Sequence, residues 1–529
     1  MSDTANAGAS VHENGGELTE GKASGYSWYV LSVLVIIYML NFIDRQIISI
    51  LANDIKADLG LTDADLGFLY GTAFAVFYAL FGIPFGKLAD SWNRTWLMTL
   101  GLSLWSAMTA LSGLAQNGVM LAAARLGVGI GEATASPSAY SLISDWFPKK
   151  MRGTALAIYS AGLYLGGGIS LAIGGLIVER WNAANPSGGA FGLVGWQVAF
   201  MAVGIPGLLL AIWVYSLREP VRGAIDGMAS KPVEKPFTGF VQELFAIIPP
   251  FTLFSAARVG GRTLMVNIAS AAIIALIAAG LIYITGSVLQ WIAVAIGYYA
   301  IASWADTLRK RDPAAFKLIW GTPAFLYTIM GYGCVAFISY SISFWAAPYA
   351  ERVLGESKSI IGWYIGGGGA MGGFLGVIIG GRVSDWLRER NPAGRILVIA
   401  FGLLAPVVPI LIAFSTDNIA LFYTLNVVIS LFGSSALGAA AATTQDMVLP
   451  RMRGTATATF FLATTLFALA LGPYLAGFVS TRAENLSIGI MSILVVVPFG
   501  ALMLALAYKL VPKAEESLLT RAHAVGEPV

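Results

Sequence analysis

Hydrophobic residues run along this chain in blocks of about twenty, broken by short polar or glycine-rich intervals. A block of that length crosses a ~30 Å hydrocarbon layer as a helix rising 1.5 Å per residue. The first blocks predict spans at 28–51, 66–89, 96–114, from about 118 onward, 154–178 and 196–217. A matching set falls at 322–350, 360–383, 396–414, 419–448, 455–479 and 488–510, which makes six and six. Between the sets, residues 263–305 carry no charge and are interrupted near Thr285, Gly286 and Ser287, the pattern of a helical hairpin. Basic residues flank this stretch on both sides (Arg258 and Arg262; Arg309, Lys310 and Arg311), so it crosses an even number of times and the count becomes 14.

The expected organisation is an all-α membrane protein. It comprises a disordered tail over 1–25, a six-helix bundle over 26–217, a linker over 218–319 holding the hairpin, a second bundle over 320–511, and a tail over 512–529. The linker carries Arg218, Arg222, Lys231, Lys235, Arg258 and Arg262, and its segment FVQELFAIIPPFTLF has the amphipathic composition of an interfacial piece. The loops GKLADSWNR, PKKMR, RVSDWLRERNPAGR and PRMR alternate with charge-free or acidic ones. By the positive-inside rule they are cytoplasmic, and so are both termini.

Composition removes several functions. With 57% hydrophobic and 12% charged residues and a mean hydropathy of +0.74, the 529-residue chain is too apolar for a soluble protein. A net charge of +3 spread over many loops indicates no nucleic-acid partner. The one cysteine, Cys334, excludes an intramolecular disulfide, and His12 and His523 both lie in polar tails. No metal site, cofactor, H-E-x-x-H motif or phosphate-cradling G-x-x-x-x-G-K-[ST] loop is expected, so neither an enzyme nor direct use of ATP is indicated.

Charges inside the apolar blocks carry the candidate chemistry. Arg125 and Glu132 are seven residues apart, on one helical face about 10 Å from each other. Gly127, Gly129 and Gly131 lie between them and permit close approach of another backbone. Charges at membrane depth cost several kcal/mol (roughly 2.5–3.5 on insertion scales) and usually face a cavity or a partner. Asp44, in LNFIDRQ of the first span, is expected at a depth similar to Arg125 and able to meet it, with Arg45 turned about 100° away. A bland alternative is that Arg125 reaches up to the head groups, or that these charges only hold spans one and four together.

A repeat runs through the chain. GKLAD at 86–90 matches GRVSD at 381–385, and MRGTA at 151–155 recurs at 452–456, so two homologous six-helix halves follow. Gly86, Asp90, Asp145 and Arg152 of the first half correspond to Gly381, Asp385, Asp446 and Arg453 of the second. Residues present in both halves serve the shared architecture. Asp90 and Asp385 are expected to pair with Arg94, Arg152 or Arg453 and latch the cytoplasmic side when it is closed. The in-membrane charges are one-sided instead: the same shift maps Arg125 onto Asn426 and Glu132 onto Gly433.

The G-x-x-x-D motif followed by basic residues, with an arginine early in span four and a following G-x-G, resembles the major facilitator superfamily. LNFIDRQ together with RLGVGIGEATASPSAYSLISDWFP resembles the Spinster family within it, whose members carry sphingosine 1-phosphate or lysophospholipids. That resemblance implies an alternating-access transporter in the plasma membrane of a bacterium, acting as a monomer among membrane lipids. The expected cargo is an amphiphilic lipid bearing a phosphate or, failing that, a small organic anion; the residues also allow a cationic amphiphile held by Asp44 and Glu132, and movement coupled to protons and facilitated movement without a coupled ion both stay open. Arg125, Arg45, Glu132 and Asn426 are the expected substrate contacts, and Asp44, Glu132 and Arg125 the proton-coupling set. A non-transporting receptor or channel also fits the composition but does not require duplicated latches.

Overall fold

The computed structural model describes residues 23–186, 189–226 and 234–527. Expectations for residues 1–22 and for Lys231 lie outside these. The first half comprises α1 (Gly25–Leu59), α2 (Asp63–Ser91), α3 (Arg94–Ser112), α4 in two pieces (Gly118–Glu132 and Ala135–Trp146), α5 (Lys149–Ala184) and α6 (Gly195–Tyr215). Linking helices follow: α7 (Pro236–Ile247), α8 (Phe251–Val259), α9 (Gly261–Thr285), α10 (Val288–Arg311) and α11 (Pro313–Ile319). The second half holds α12 (Pro323–Arg352), α13 (Lys358–Arg390), α14 (Gly394–Ala413), α15 (Ile419–Asp446), α16 (Pro450–Ala483) and α17 (Leu486–Glu516), and α18 (Leu518–His523) closes the chain. Twelve of these are long and apolar enough to cross a membrane, α9 and α10 among them. The Ser, Thr and Trp of α3 dilute its apolar character, and the break in α4 leaves each piece short.

Several helices outrun their apolar blocks. α1 continues to Leu59, where the sequence pattern suggested an acidic loop after residue 51. Polar residues beyond the hydrocarbon layer still propagate a helix, since each adds a backbone hydrogen bond. Gly60 ends it in the left-handed conformation (φ 65°), and Thr62 starts α2 through a capping box with Asp65. Asp44 consequently lies near the middle of α1, about 22 Å from its end at Leu59, deeper than the ~10 Å expected from the apolar block alone. At the other terminus, the expected tail from 512 is helical through Glu516 and again over Leu518–His523.

The break in α4 has an identifiable cause. Pro137 offers no N–H and its ring conflicts with the carbonyl four residues earlier, at Ala133. Thr134 Oγ1 donates to the Gly131 carbonyl at 2.9 Å, and in the symmetric break of α15 Ser435 Oγ donates to Phe432 at 2.7 Å. The glycines before the break do bring backbones together. A Cβ at Gly129 would stand 2.6 Å from the Phe74 carbonyl of α2, and one at Gly131 2.7 Å from the Trp105 nitrogen of α3.

The halves meet along two seams, α2 against α16 and α5 against α13, and π-helical turns lie at both. A Cβ at Gly71 would stand 2.4 Å from the Leu469 carbonyl, and one at Gly168 2.6 Å from that of Gly366. We expect Gly71→Ala to cost about 1–3 kcal/mol by overpacking this seam. Thermal unfolding in detergent reads it, and an unchanged midpoint would show that the seam yields freely.

The hairpin α9–α10 turns at Gly286 (φ 76°). Its second helix lies over the α2–α16 seam, with Gly297 against Val76 and Leu466. Thr252 and Asn267 hydrogen-bond Tyr299 and fix α8 and α9 to that helix. The segment read as interfacial forms α7 and α8, bent by 100° between them.

Candidate functional site

Arg45, Glu132, Arg125 and Asp44 are brought together between α1 and α4, packed against α2 and α3. Arg45 Nη2 contacts Glu132 Oε2 at 2.7 Å and Asn41 Oδ1 at 3.4 Å. Three rings surround the guanidinium: Phe42, Phe74 and Tyr78 have their centroids 4.8, 4.5 and 5.0 Å from Cζ. Arg125 lies beyond the same Phe74 ring at 5.6 Å, and its Nη1 donates to the Asp44 main-chain carbonyl at 3.2 Å.

The expected side-chain pairing of Arg125 with a carboxylate is therefore replaced by a different arrangement. Arg45, expected to point away, takes Glu132. Arg125 Nε and Nη2 and both Asp44 carboxylate oxygens make no hydrogen bond of normal geometry, although Trp105 and Thr109 flank Asp44. Arg45 is 7% exposed and Asp44 and Arg125 are fully enclosed, so Arg45 is the most accessible charge of the cluster. Asn426 is buried in the other half and turns its Nδ2 to the Phe422 carbonyl at 2.9 Å, away from this cluster.

The next residue of α1 reaches the second half. Gln46 Nε2 donates to the Ser343 carbonyl of α12 at 2.6 Å, Gln46 Oε1 accepts from Tyr70, and the Tyr70 ring stacks on Phe344. Ser49 Oγ and Asn53 Nδ2 continue this line to the Phe344 and Pro348 carbonyls. Asp63 accepts from Lys56, Arg352 and Ser480 at 2.7, 2.8 and 2.6 Å, and Lys358 bridges to Asp54 at 3.0 Å. Among the described residues, every polar contact joining α1–α6 to α12–α17 uses residues 46–72 or 179 on one side and 343–359 or 470–481 on the other. All lie at or toward the end opposite the basic loops. The halves are pinned there and are not joined by such contacts at the basic end.

The repeated acids occupy that unpinned end. Arg94 pairs with Asp145 and, at 2.7 Å, with Glu219, while Arg152 pairs with Asp226 at 2.8 Å. Arg395 repeats the pattern with Asp446 and Asp385, and it stands 301 residues after Arg94, the shift that relates Asp145 to Asp446. The expected pairing of Asp90 and Asp385 with Arg94, Arg152 or Arg453 is not formed in this state. Among the described residues Asp90 makes no ion pair and Arg453 is exposed, and a Cβ at Gly86 or Gly381 would meet nothing within 4 Å. Arg94 and Arg152 are taken instead by Asp145, Glu219 and Asp226, and Asp385 by Arg395. Arg395 could have been found from the repeat, whereas Gln46, Asp63, Arg352, Lys358 and Glu219 carry no local signal. Outside the spans, two hydrogen bonds from Arg451 hold the Asp312 carboxyl below the usual carboxylate range and tie the linker to α16.

Two clustered halves pinned at one end have the architecture of a transporter, and comparison with known proteins agrees. The family model of the major facilitator superfamily matches residues 34–464. The chain belongs to that superfamily. It is similar to an MFS-type efflux pump of Mycolicibacterium smegmatis, at 26% identity over 86% of this chain and 84% of the pump. Protein spinster of Drosophila melanogaster is 26% identical over 86% of this chain and 62% of its own length. A bacterial homologue of the human lysosomal transporter Spinster, crystallised inward-facing and unoccupied, superposes with a TM-score of 0.68 at 26% identity, covering 94% of this chain and 99% of that one. This major facilitator is a multi-pass membrane transporter of the Spinster type, not an enzyme.

Proposed function

We propose that the protein moves an amphiphilic, phosphate-bearing lipid of the lysophospholipid or sphingosine phosphate kind across a bacterial inner membrane by alternating access, with both termini cytoplasmic. In this reading residues 26–217 rock against 320–511, the hairpin within 218–319 crosses the membrane, and the state described is open to the cytoplasm. The pinning of the halves at one end only is the observation that carries the rocking motion. An amphiphilic cargo is favoured by an apolar groove of about 660 Å³ at the α5–α13 seam, lined by Tyr164, Leu165, Ile169, Trp363, Met371 and Phe374. The α2–α16 seam is covered by α10, whose Gly297 packs on Val76 and Leu466.

The substrate head group takes Arg45 from Glu132, and Glu132 then accepts a proton in place of the lost cation. Anion and proton thereby bind with positive linkage, which is the condition for cotransport. Asp44 can exchange a proton without breaking an ion pair, and Arg125 holds α1 by the Asp44 carbonyl. Since Asp44, Arg45 and Gln46 are consecutive, a turn of α1 that frees Arg45 also strains the Gln46–Ser343 contact closing the far end. Asp90, Asp145, Arg152, Asp385, Asp446 and Arg453 set the opposite latch.

A second reading, a proton-coupled carrier of small organic anions, has support from a probable galactarate/D-glucarate transporter of Bacillus subtilis, 28% identical over 38% of this chain. Uptake into proteoliposomes without nucleotide, with and without a pH gradient, separates the two when a lysophospholipid and galactarate are compared. Arg125→Ala should abolish uptake. The Asp44→Asn, Glu132→Gln double variant should lose the pH dependence while the protein still folds. Normal pH-dependent uptake by the double variant would remove both carboxyls from coupling.

A further inference from the structure

A second groove, of about 600 Å³, runs between α13 and α15 away from the Arg45 cluster. At its head, near the far end of the bundle, Glu356 accepts from Tyr423 Oη at 3.2 Å, and the Tyr364 ring stacks on Tyr423 with centroids 4.8 Å apart. Trp363, 73% exposed, stands beside them. Below this head the wall is apolar, with Gly368, Met371 and Val427; the absent side chain of Gly368 keeps the floor clear, since a Cβ would stand 2.8 Å from Val427. From Ile360 to Met371 the groove wall extends about 16 Å along α13, with Glu356 just beyond its upper end.

The charge at the head is unbalanced. Among the described residues no cation pairs with Glu356: neighbouring Lys358 is held by Asp54 and Glu351, and Arg352 by Asp63 and Asn53. A carboxylate beside exposed aromatic faces attracts an ammonium group through both charge and ring quadrupoles, and prefers one too weakly hydrated to stay in water. A long apolar floor beneath it suits an alkyl chain, and the volume lies within the range of small-molecule sites.

We propose that this groove binds the ammonium head group of an amphiphile, with the head between Glu356, Tyr364 and Tyr423 and one alkyl chain along Gly368, Met371 and Val427. The site is separate from the Arg45 cluster and does not depend on how that cluster is coupled. A bilayer lipid or a free amphiphile can supply the same chemistry.

The test uses the full chain in phosphatidylglycerol nanodiscs, labelled with a diazirine-bearing hexadecylphosphocholine and mapped by mass spectrometry. Label is expected on the α13 and α15 peptides, suppressed by hexadecyltrimethylammonium and not by hexadecyl sulfate. Glu356→Gln, which keeps an acceptor for Tyr423, should lower that labelling about tenfold, and the exposed substitution Tyr364→Leu several-fold, while Leu209→Ala on the exposed face of α6 leaves it unchanged. Suppression on adding phosphatidylethanolamine to the nanodiscs identifies a bilayer lipid as the occupant; its absence identifies a free amphiphile. Label confined to other peptides, equal labelling of Glu356→Gln, or competition by hexadecyl sulfate overturns the proposal.

Discussion

Replacing Arg45 with methionine is expected to destabilise the protein by about 3–5 kcal/mol and to end transport. The substitution strands Glu132, which is 1% exposed and, among the described residues, pairs with Arg45 alone. The same change removes the guanidinium that Phe42, Phe74 and Tyr78 enclose, so Phe42 and Tyr78 lose their cation and Phe74 keeps only the more distant Arg125. Adding Glu132→Leu should restore most of the stability without restoring transport, because an apolar pair of similar volume removes the buried unpaired charge but not the need for a switchable one. Thermal unfolding and proteoliposome uptake on the single and double variants read the two effects separately. Equal unfolding midpoints for both would mean that the Arg45–Glu132 contact contributes nothing to the fold.

Asp63→Ala should shift the conformational population toward opening of the far end by about 10–100-fold. Asp63 gathers Lys56 from its own half and Arg352 and Ser480 from the other, and hydrogen bonds to a charged group contribute about 1.5–3 kcal/mol each. Losing one such contribution from the closed state moves a two-state equilibrium by that factor. Arg352 keeps its bonds to Asn53, which limits the effect. Spin-label distances across both ends would register it as a population that is longer at the far end and shorter at the basic one. An unaltered distribution at both ends would assign Asp63 to the fold of α2 alone.

The helical architecture, the two-half repeat and the presence of charge in the interior were legible in the sequence. Each follows from local information: the length of apolar blocks, the recurrence of GKLAD and MRGTA, and the cost of placing Arg125 and Glu132 among apolar neighbours. The separation between halves also exposed which charges are one-sided. Partner choice was decided elsewhere. Whether Glu132 meets Arg45 or Arg125 depends on the rotation of α1 against α4, which is set by Gly129 and Gly131 resting on the α2 and α3 backbones and by the break that Pro137 imposes. Sequence spacing gives the angle between two residues on one helix but not the angle between two helices. Likewise α1 outran its apolar block because hydropathy marks where a helix can lie in lipid and not where its backbone stops, which Gly60 decides. The far-end contacts of Asp63, Arg352 and Lys358 join residues about 290–300 positions apart, on different halves of the chain. Tertiary packing alone determined them, since no spacing along the chain says which side chains of one half meet those of the other.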